Sequence, residues 1–376
     1  MSIFRSAAVI SGMTLISRIT GLIRDILIAR FFGVNGDTDA YYVAFRLPNL
    51  LRRLFAEGAF QQAFVPMLAD AKSTKAQDEA KTFIDRVASL LASVVLLISV
   101  LGSLCAPILV WIIASGLYEE PQTFTTASQL TRIMFPYIFF MSMVALSSSI
   151  LNTWKEFAIP AAVPILLNLS LICATLFLAP HMERPIFALA IGVMAGGFLQ
   201  LAVQIPALWK RGLLPKPVSP LTALKDPTVR RVLKLMVPAL FAVGVAHISI
   251  LINTNIASFL AEGSVTWLTY ADRLMEFPTA LLGVALGTVL LPSLSAAFAK
   301  GSMDKYNALL NWGLKLIIAF AIPAALGLAF LSDALVSVLF QSKLFGPNDV
   351  VQTSNAVLGY SIGLIGLIGI KILAPG

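Results

Sequence analysis

A group of charged residues lies inside one of the most apolar parts of the chain. The segment 45–60, FRLPNLLRRLFAEGAF, contains three arginines and one glutamate. Steps of three or four residues place one polar stripe along a helix: Arg46, Asn49, Arg53 and Glu57. Arg52 lies about 100° from Arg53, on the flank of that stripe. Guanidinium groups bind phosphate and carboxylate through paired hydrogen bonds, so the segment predicts an anion-binding surface.

Two other apolar segments also carry charges. The first contains Arg18, Arg24, Asp25 and Arg30, and the later one contains Asp272, Arg273 and Glu276. Spacings of four and three residues allow ion pairs on one helix face, Arg53 with Glu57 and Arg273 with Glu276. A charge at the bilayer centre costs about 2.5–3.5 kcal/mol, so these groups are expected to face a cavity or a partner charge.

The arginines of these segments outnumber the acids, with Asp39 just outside. We therefore expect a cationic cavity that binds an anion such as a pyrophosphate through Arg18, Arg24, Arg52 and Arg273. Asp25, Asp39, Arg46, Arg53, Glu57 and Glu276 are expected to support the cavity or its conformational change. The competing interpretation is that the arginines extend to the membrane surface or form structural ion pairs. For Arg30 and Arg53 both interpretations stay open.

The composition predicts the elements that hold these residues. Of the 376 residues, 58% are hydrophobic and 12% are charged, whereas soluble proteins carry roughly 25% charged residues. The fold class is therefore an all-α polytopic membrane protein. Ten apolar segments are long enough to cross a bilayer: 6–32, 40–68, 84–114, 126–151, 158–179, 186–208, 232–260, 266–298, 306–340 and 353–374.

The charges between these segments alternate from one break to the next. Lys and Arg concentrate in every second break. The most basic break, 209–231, contains the sequence RGLLPKPVSPLTALKDP at 211–227. The positive-inside rule places these breaks and the N-terminus in the cytoplasm. The net charge of +8 is then loop charge, and no nucleic-acid partner is expected.

Three sequence motifs recur about 227 residues apart. FRLPN at 45–49 resembles DRLME at 272–276, FVPMLADA at 64–71 resembles LLPSLSAA at 290–297, and SGLY at 115–118 resembles SKLF at 342–345. Six membrane segments separate equivalent points of the two repeats. Because six is an even number, the two repeats have the same orientation in the membrane, as in transporters that bind substrate between two halves. The predicted domains are an N-terminal lobe of six transmembrane helices (1–210), a cytoplasmic linker (211–228) and an incomplete lobe of four (229–376). We therefore expect the chain to be part of a larger transporter.

The remaining motifs predict packing more than chemistry. Walker A, HExxH and CxxC motifs are absent from the sequence, so we expect no catalytic residue, metal site or cofactor. Cys105 and Cys173 are interpreted as small core residues. GVMAG at 192–196 predicts close helix packing, and Asp37–Asp39 is expected in a short loop. His247 is interpreted as a packing residue, with proton coupling as the alternative.

Three long motifs resemble the MurJ/MviN lipid II flippases, a family in the multidrug/oligosaccharidyl-lipid/polysaccharide exporter superfamily. They are SRITGLIRD, GDTDAYYVAFRLPNLLRRLFAEGAFQQAFVP and YADRLMEFPTALLGVALGTVLLPSL. The resemblance implies a fold of fourteen transmembrane helices, of which this sequence matches the first ten. It also implies alternating access, in which lipid II moves from the cytoplasmic to the periplasmic leaflet of the bacterial inner membrane.

The resemblance extends to individual residues. Positions important in the family match Arg18, Arg24, Asp39, Arg52 and Arg273; Glu57 and Glu276 fit the family pattern, and Arg46 stands where relatives often have Lys. The implied partners are lipid II, membrane lipids and the peptidoglycan synthesis machinery.

Several other functions compete with lipid II transport as interpretations of this sequence. They are an exporter of another polyprenyl-linked saccharide, a drug exporter, a membrane-embedded enzyme acting on a polyprenyl phosphate, a non-transporting scaffold, against which the intramembrane arginines argue, and an inactive truncated form. The arginine surplus argues against export of cationic drugs. The enzyme would need a catalytic acid, base or metal site, which the sequence does not provide.

Overall fold

The computed structural model describes residues 3–51, 60–74 and 77–373. All regular secondary structure in these ranges is helical, which confirms the predicted all-α class. The chain forms two compact units, Met1–Glu262 and Gly263–Gly376.

The first unit contains the helices α1 (Ile3–Phe32), α2 (Gly36–Leu51), α3 (Phe60–Thr74), α4 (Gln77–Leu104), α5 (Ala106–Ile113), α6 (Pro121–Met134), α7 (Tyr137–Thr153), α8 (Ala158–Cys173), α9 (Phe187–Ala202), α10 (Ile205–Lys210), α11 (Pro220–Lys225) and α12 (Pro227–Ser258). A 3-10 turn, Ser115–Glu119, connects α5 with α6, and the π-helical turn Ala174–Leu178 extends α8.

Two predicted spans are each divided into two helices. The span 84–114 breaks at Cys105, and the span 126–151 breaks at Phe135 and Pro136. Proline has no backbone N–H, so it fits best in the first turn of a helix and kinks or breaks a helix elsewhere. Pro107 lies in the first turn of α5 and Pro136 directly precedes α7, so both breaks follow from the position of a proline.

Glycines bring α9 close to α8. A Cβ atom built on Gly192 would lie 2.8 Å from Ala174 Cβ, and one on Gly196 would lie 2.8 Å from Leu167 Cδ1. The Ser170 hydroxyl donates a hydrogen bond of 2.7 Å to the Gly192 carbonyl across this contact. The packing role predicted for the GVMAG motif is confirmed.

A hydrophobic core joins α3, α4 and α7 to the connection before α12. Phe64 stacks on Phe60 and Phe83, and Leu213 and Val229 are both 1% exposed in the same cluster. Leu213 and Val229 lie outside the predicted spans, so their burial removes them from water and stabilises the fold by ~1.5–3 kcal/mol each. The start of α12 is therefore packed into the first unit.

Six helical stretches of the described chain are long and apolar enough to cross a membrane: Asp78–Leu104, Pro121–Thr153, Ala158–His181, Phe187–Lys210, Met303–Phe340 and Pro347–Ile370. Helix α1 has the length of a span but carries four charged side chains between Arg18 and Arg30. The count of ten spans stays a prediction.

The second unit consists of α13 (Ser264–Ala299), α14 (Met303–Phe340) and α15 (Pro347–Leu373). Tyr270, Phe340 and Phe345 form its aromatic centre, and Trp267 Nε1 donates to Asp349 Oδ1 at 3.0 Å. The starts of α6 and α15, at Pro121 and Pro347, are 226 residues apart, which supports the sequence repeat. The predicted lobe boundaries stay predictions, because compactness does not test a division based on repeats.

Both cysteines differ from the expectation of core residues. Cys105 and Cys173 are unpaired and exposed. The error has a physical reason: an apolar helix in a membrane buries only part of its surface in protein, and its exposed side chains face hydrocarbon.

Candidate functional site

The charged residues of α1 are organised around Arg24. Its side chain is buried and donates from Nε and Nη2 to Asp25 Oδ1, at 2.9 and 2.7 Å. Its Nη1 donates to Asn168 Oδ1 of α8 at 2.8 Å. Three of the five guanidinium N–H donors are thus used by these contacts, which fix the plane of the group.

Asn168 is the residue that connects α8 to α1. Its Nδ2 donates to the Ser17 carbonyl at 2.9 Å and to the Thr20 hydroxyl at 3.2 Å. Gly21 faces this amide, and a Cβ built there would lie 3.4 Å from Asn168 Nδ2, an ordinary van der Waals contact. Asn168 is neutral, so it orients Arg24 without cancelling its charge.

Sequence reasoning did not identify Asn168. A signal was present, because this is the one amide in the apolar helix AIPAAVPILLNLSLIC, and a polar side chain within a membrane helix usually forms a contact between helices. Its partner lies 144 residues away in sequence, so the spacing of residues along one helix cannot reveal the pair.

The other arginines of α1 are in different surroundings. Arg18 and Arg30 are exposed, while Asp25 is 6% exposed beside Arg24. Arg18 lies six residues before Arg24, which corresponds to about 9 Å along the helix axis. Helix α1 therefore carries one buried ion pair flanked by two exposed cations.

The acidic start of α2 differs from its prediction. Asp37, Thr38 and Asp39 were expected in a loop, but they form the first turn of α2. Asn35 and Thr38 explain the early start: the Asn35 carboxamide accepts from Thr38 N, and the Thr38 hydroxyl accepts from Asn35 N, both at 3.0 Å. Such reciprocal bonds cap a helix N-terminus. Asp39 is 3% exposed in this turn.

Helix α12 and the residues that follow it pack on the other helices of the first unit through several polar contacts, and we name four of these the α12 seam. Arg46 Nη1 donates to Thr254 Oγ1 at 2.5 Å, and Asn255 Nδ2 donates to the Ser115 hydroxyl at 3.0 Å. Gly116 N donates to the Ser258 hydroxyl at 3.1 Å. In the fourth contact, the backbone N–H of Gly36, the first residue of α2, donates to the Glu262 carboxylate.

The backbone of the seam approaches very closely at one point. A Cβ atom on Gly116 would lie 2.3 Å from the Ser258 carbonyl oxygen. Only glycine fits there without a shift of the backbone.

The connection from α10 to α12 is held against α4. Lys216 N donates to Asp85 Oδ1 and Val218 N donates to Ser89 Oγ, both at 2.8 Å. Arg86 forms an ion pair with Asp226, the residue that caps α12 by accepting from Thr228 N at 2.7 Å. Burial raises the pKa of Asp226, but the hydrogen bonds from Arg86 and Thr228 outweigh it and lower the pKa below its usual value.

The predicted site residues of the second unit form a local pair. Arg273 Nη1 contacts Glu276 Oε2 at 3.1 Å, which confirms the ion pair expected from their spacing. Both side chains are partly exposed. Arg52, Arg53 and Glu57 lie outside the described residues, and so does the side chain of His247.

Among the described residues of the first unit, the structure brings three predicted site residues into contacts between helices or with each other. Arg24 and Asp25 form one group with Asn168, and Arg46 contacts α12. Within the described ranges, no cluster of His, Cys, Asp and Glu has the arrangement of a metal site.

The comparisons with known proteins agree with one another. The family model described as "Lipid II flippase MurJ" matches residues 28–376. The chain is 52% identical to the lipid II flippase MurJ of Burkholderia cenocepacia, over all of this chain and 73% of that protein. The chain belongs to the lipid II flippase MurJ family. The probable lipid II flippase MurJ of Vibrio cholerae is a further relative, 40% identical over all of this chain and 72% of its own length.

The folds of solved structures also support membership of this chain in the MurJ family. One described as "Lipid II flippase MurJ, inward closed conformation" aligns with a TM-score of 0.81 and 30% identity, over 97% of this chain and 74% of that one. A multidrug resistance MATE family transporter in an inward-facing conformation aligns with a TM-score of 0.73 at 13% identity, over 98% of this chain and 84% of that one. The latter likeness shows a shared fold alone.

Proposed function

We infer that this multi-pass membrane protein is a lipid II flippase, a transporter, and we propose that its arginines bind the pyrophosphate of the substrate. The flippase function is supported by 52% identity to a lipid II flippase over the whole chain. The binding role is supported by the geometry of Arg24, which is held in one orientation by Asp25 and Asn168.

The proposed binding group consists of Arg18, Arg24, Arg52 and Arg273. Asp25 neutralises the charge of Arg24, so Arg24 contributes oriented N–H donors more than net charge. Two of its donors are not used by the contacts with Asp25 and Asn168 and can reach a phosphate oxygen. Arg18 is exposed and supplies the positive charge that attracts the head group.

We also propose the finer features of the transport cycle. The chain crosses the inner membrane ten times with its N-terminus in the cytoplasm, as the alternating loop charges indicate. Asp39, Arg46, Arg53, Glu57 and Glu276 support the change between two accessible states. Arg46 carries the best structural support, since it contacts α12 across the seam.

Binding of lipid II to the purified protein tests the role of Arg24. We expect Arg24→Gln to weaken binding about tenfold or more, because a hydrogen bond to a charged group contributes ~1.5–3 kcal/mol. Arg132→Gln is the matched control, since Arg132 is exposed and contacts only the Ser103 carbonyl among described groups. Equal affinity of the Arg24→Gln variant and the control would contradict the proposed role.

A further inference from the structure

The connection between α10 and α12 presents a surface that is strongly basic. From residue 209 to residue 234 the sequence contains seven lysines and arginines and one acid, Asp226. Asp226 is paired with Arg86, and all seven basic residues are exposed. The ammonium groups of four of them make no hydrogen bond or ion pair with any residue that the structure describes: Lys210, Lys216, Lys225 and Lys234.

The same surface exposes large apolar side chains. Trp209 is 71% exposed and Leu221 is 72% exposed. Leu221 and Leu224 are three residues apart on α11, so they lie on one side of this short helix, while Ala223 is completely buried. We name the exposed residues Trp209, Leu221 and Leu224, together with the four lysines, the linker surface.

The linker surface has a fixed position. Asp85 and Ser89 of α4 accept hydrogen bonds from Lys216 N and Val218 N on either side of Pro217. Arg86 holds Asp226 just beyond α11, and the Arg230 guanidinium donates from Nε to the Leu224 carbonyl at 2.7 Å. The backbone is therefore ordered before any ligand binds, which lowers the entropic cost of binding.

The contacts with α4 also give the depth of this surface. Ser89 lies five residues before Val94, where the exposed large hydrophobic side chains of α4 begin. Five residues of helix correspond to about 7.5 Å. The interfacial layer outside the hydrocarbon is about this thick, which supports a position of the linker surface at the level of the lipid head groups.

We propose that the linker surface binds anionic phospholipids of the adjacent leaflet. The lysines contact the phosphate-bearing head groups, while Trp209, Leu221 and Leu224 enter the interface between head groups and acyl chains. Charge selects the lipid, because the four exposed lysines have no acidic partner among the described residues, while Asp226 is paired with Arg86 and Glu156 with Arg211. Exposed tryptophan and leucine beside lysine is the composition of segments that lie in a membrane interface. The proposal does not depend on the transported substrate.

A fluorescent probe at Leu221 tests this binding. Cys105→Ser and Cys173→Ser remove the native thiols, and Leu221→Cys is labelled with bimane in the full chain reconstituted in nanodiscs. The lipids carry bromine on their acyl chains, which quenches a probe that enters the interface. We expect quenching to rise about twofold or more when phosphatidylglycerol replaces part of the phosphatidylcholine, and to fall as salt is added.

Two double variants separate the linker surface from net charge. Lys216→Gln with Lys225→Gln removes two of the four lysines and is expected to reduce the dependence on phosphatidylglycerol. Lys300→Gln with Lys305→Gln removes the same charge at exposed positions elsewhere and is expected to leave it unchanged. A probe that is never quenched, or is quenched equally in both lipids, would overturn the proposal. If added polyglutamate shielded the probe and anionic lipid did not, the surface would be assigned to an acidic protein. That result would also overturn the proposal.

Discussion

At the scale of single residues, the orientation of Arg24 depends on two different partners. Asp25 supplies a charge from the same helix, and Asn168 supplies a neutral oxygen from α8. The first partner could be predicted because it is adjacent in sequence. The second could not, since nothing in the local pattern of α8 indicates which helix its amide faces.

Replacing Asn168 tests this arrangement. Asn168→Leu keeps an apolar side chain of similar size but leaves Nη1 of Arg24 without its partner, so we expect a loss of stability of ~1–3 kcal/mol. Lipid II binding should weaken beyond what Ser170→Ala causes, because Ser170 bonds to α9 and not to α1. Thermal unfolding and lipid II affinity measure the two effects. If both variants bound lipid II as tightly as the parent, Asn168 would have no orienting role.

At the scale of helices, the α12 seam bears on the proposed change between two accessible states. A transporter that alternates between two states must separate elements that are in contact in one of them. The seam depends on short polar contacts and one glycine, which can be broken at lower cost than a hydrophobic core. Sequence analysis assigned α12 to the second lobe and therefore did not anticipate the contacts of Arg46 and Gly116 with it.

A single methyl group should open this seam. Gly116→Ala places Cβ against the Ser258 carbonyl, and overpacking of this kind costs ~1–3 kcal/mol. A cysteine at Ala257, which is 6% exposed, should then react about tenfold faster or more with a membrane-impermeant maleimide. Gly327→Ala is the control, as no atom lies within 4 Å of its added Cβ. An unchanged rate in a folded Gly116→Ala protein would show that this contact does not hold the seam closed.

The contribution of Asp226, at the start of α12, to the stability of the fold should depend on pH. Asp226 has a pKa below its usual value of 3.8, so its ionised form stabilises the folded state at neutral pH. That contribution is complete above the unfolded pKa and is lost as the pH falls through the folded pKa. We expect the Tm difference between the parent and Asp226→Asn to be constant above about pH 5 and to shrink below pH 4.

Asp304→Asn is the control for this titration. Asp304 also lies in the first turn of a long helix, α14, but forms no ion pair with a described residue. A Tm difference for Asp226→Asn that did not change between pH 6 and the acid limit of folding would contradict a role for the Arg86–Asp226 pair.

At the scale of the whole molecule, the sequence predicted those features that depend on local patterns. Composition gave the helical class, the spacing of Arg273 and Glu276 gave their ion pair, and the GVMAG motif gave the approach of α9 to α8. The breaks at Cys105 and Phe135 were missed because apolar residues continue through them. Asn168 and the α12 seam were missed because each joins residues more than 100 positions apart.

The account as a whole is tested most directly by transport in cells that are depleted of their own lipid II flippase. These cells receive the full-length gene, or its Arg18→Ala, Arg24→Ala and Arg273→Ala variants at equal expression. The measurement is the fraction of lipid II that a membrane-impermeant lipid II-cleaving enzyme can reach. We predict that the parent restores this fraction and that each variant lowers it about tenfold, the loss of one charge-assisted contact. Accessible lipid II at the parental level in all three variants would contradict the proposed arginine binding site.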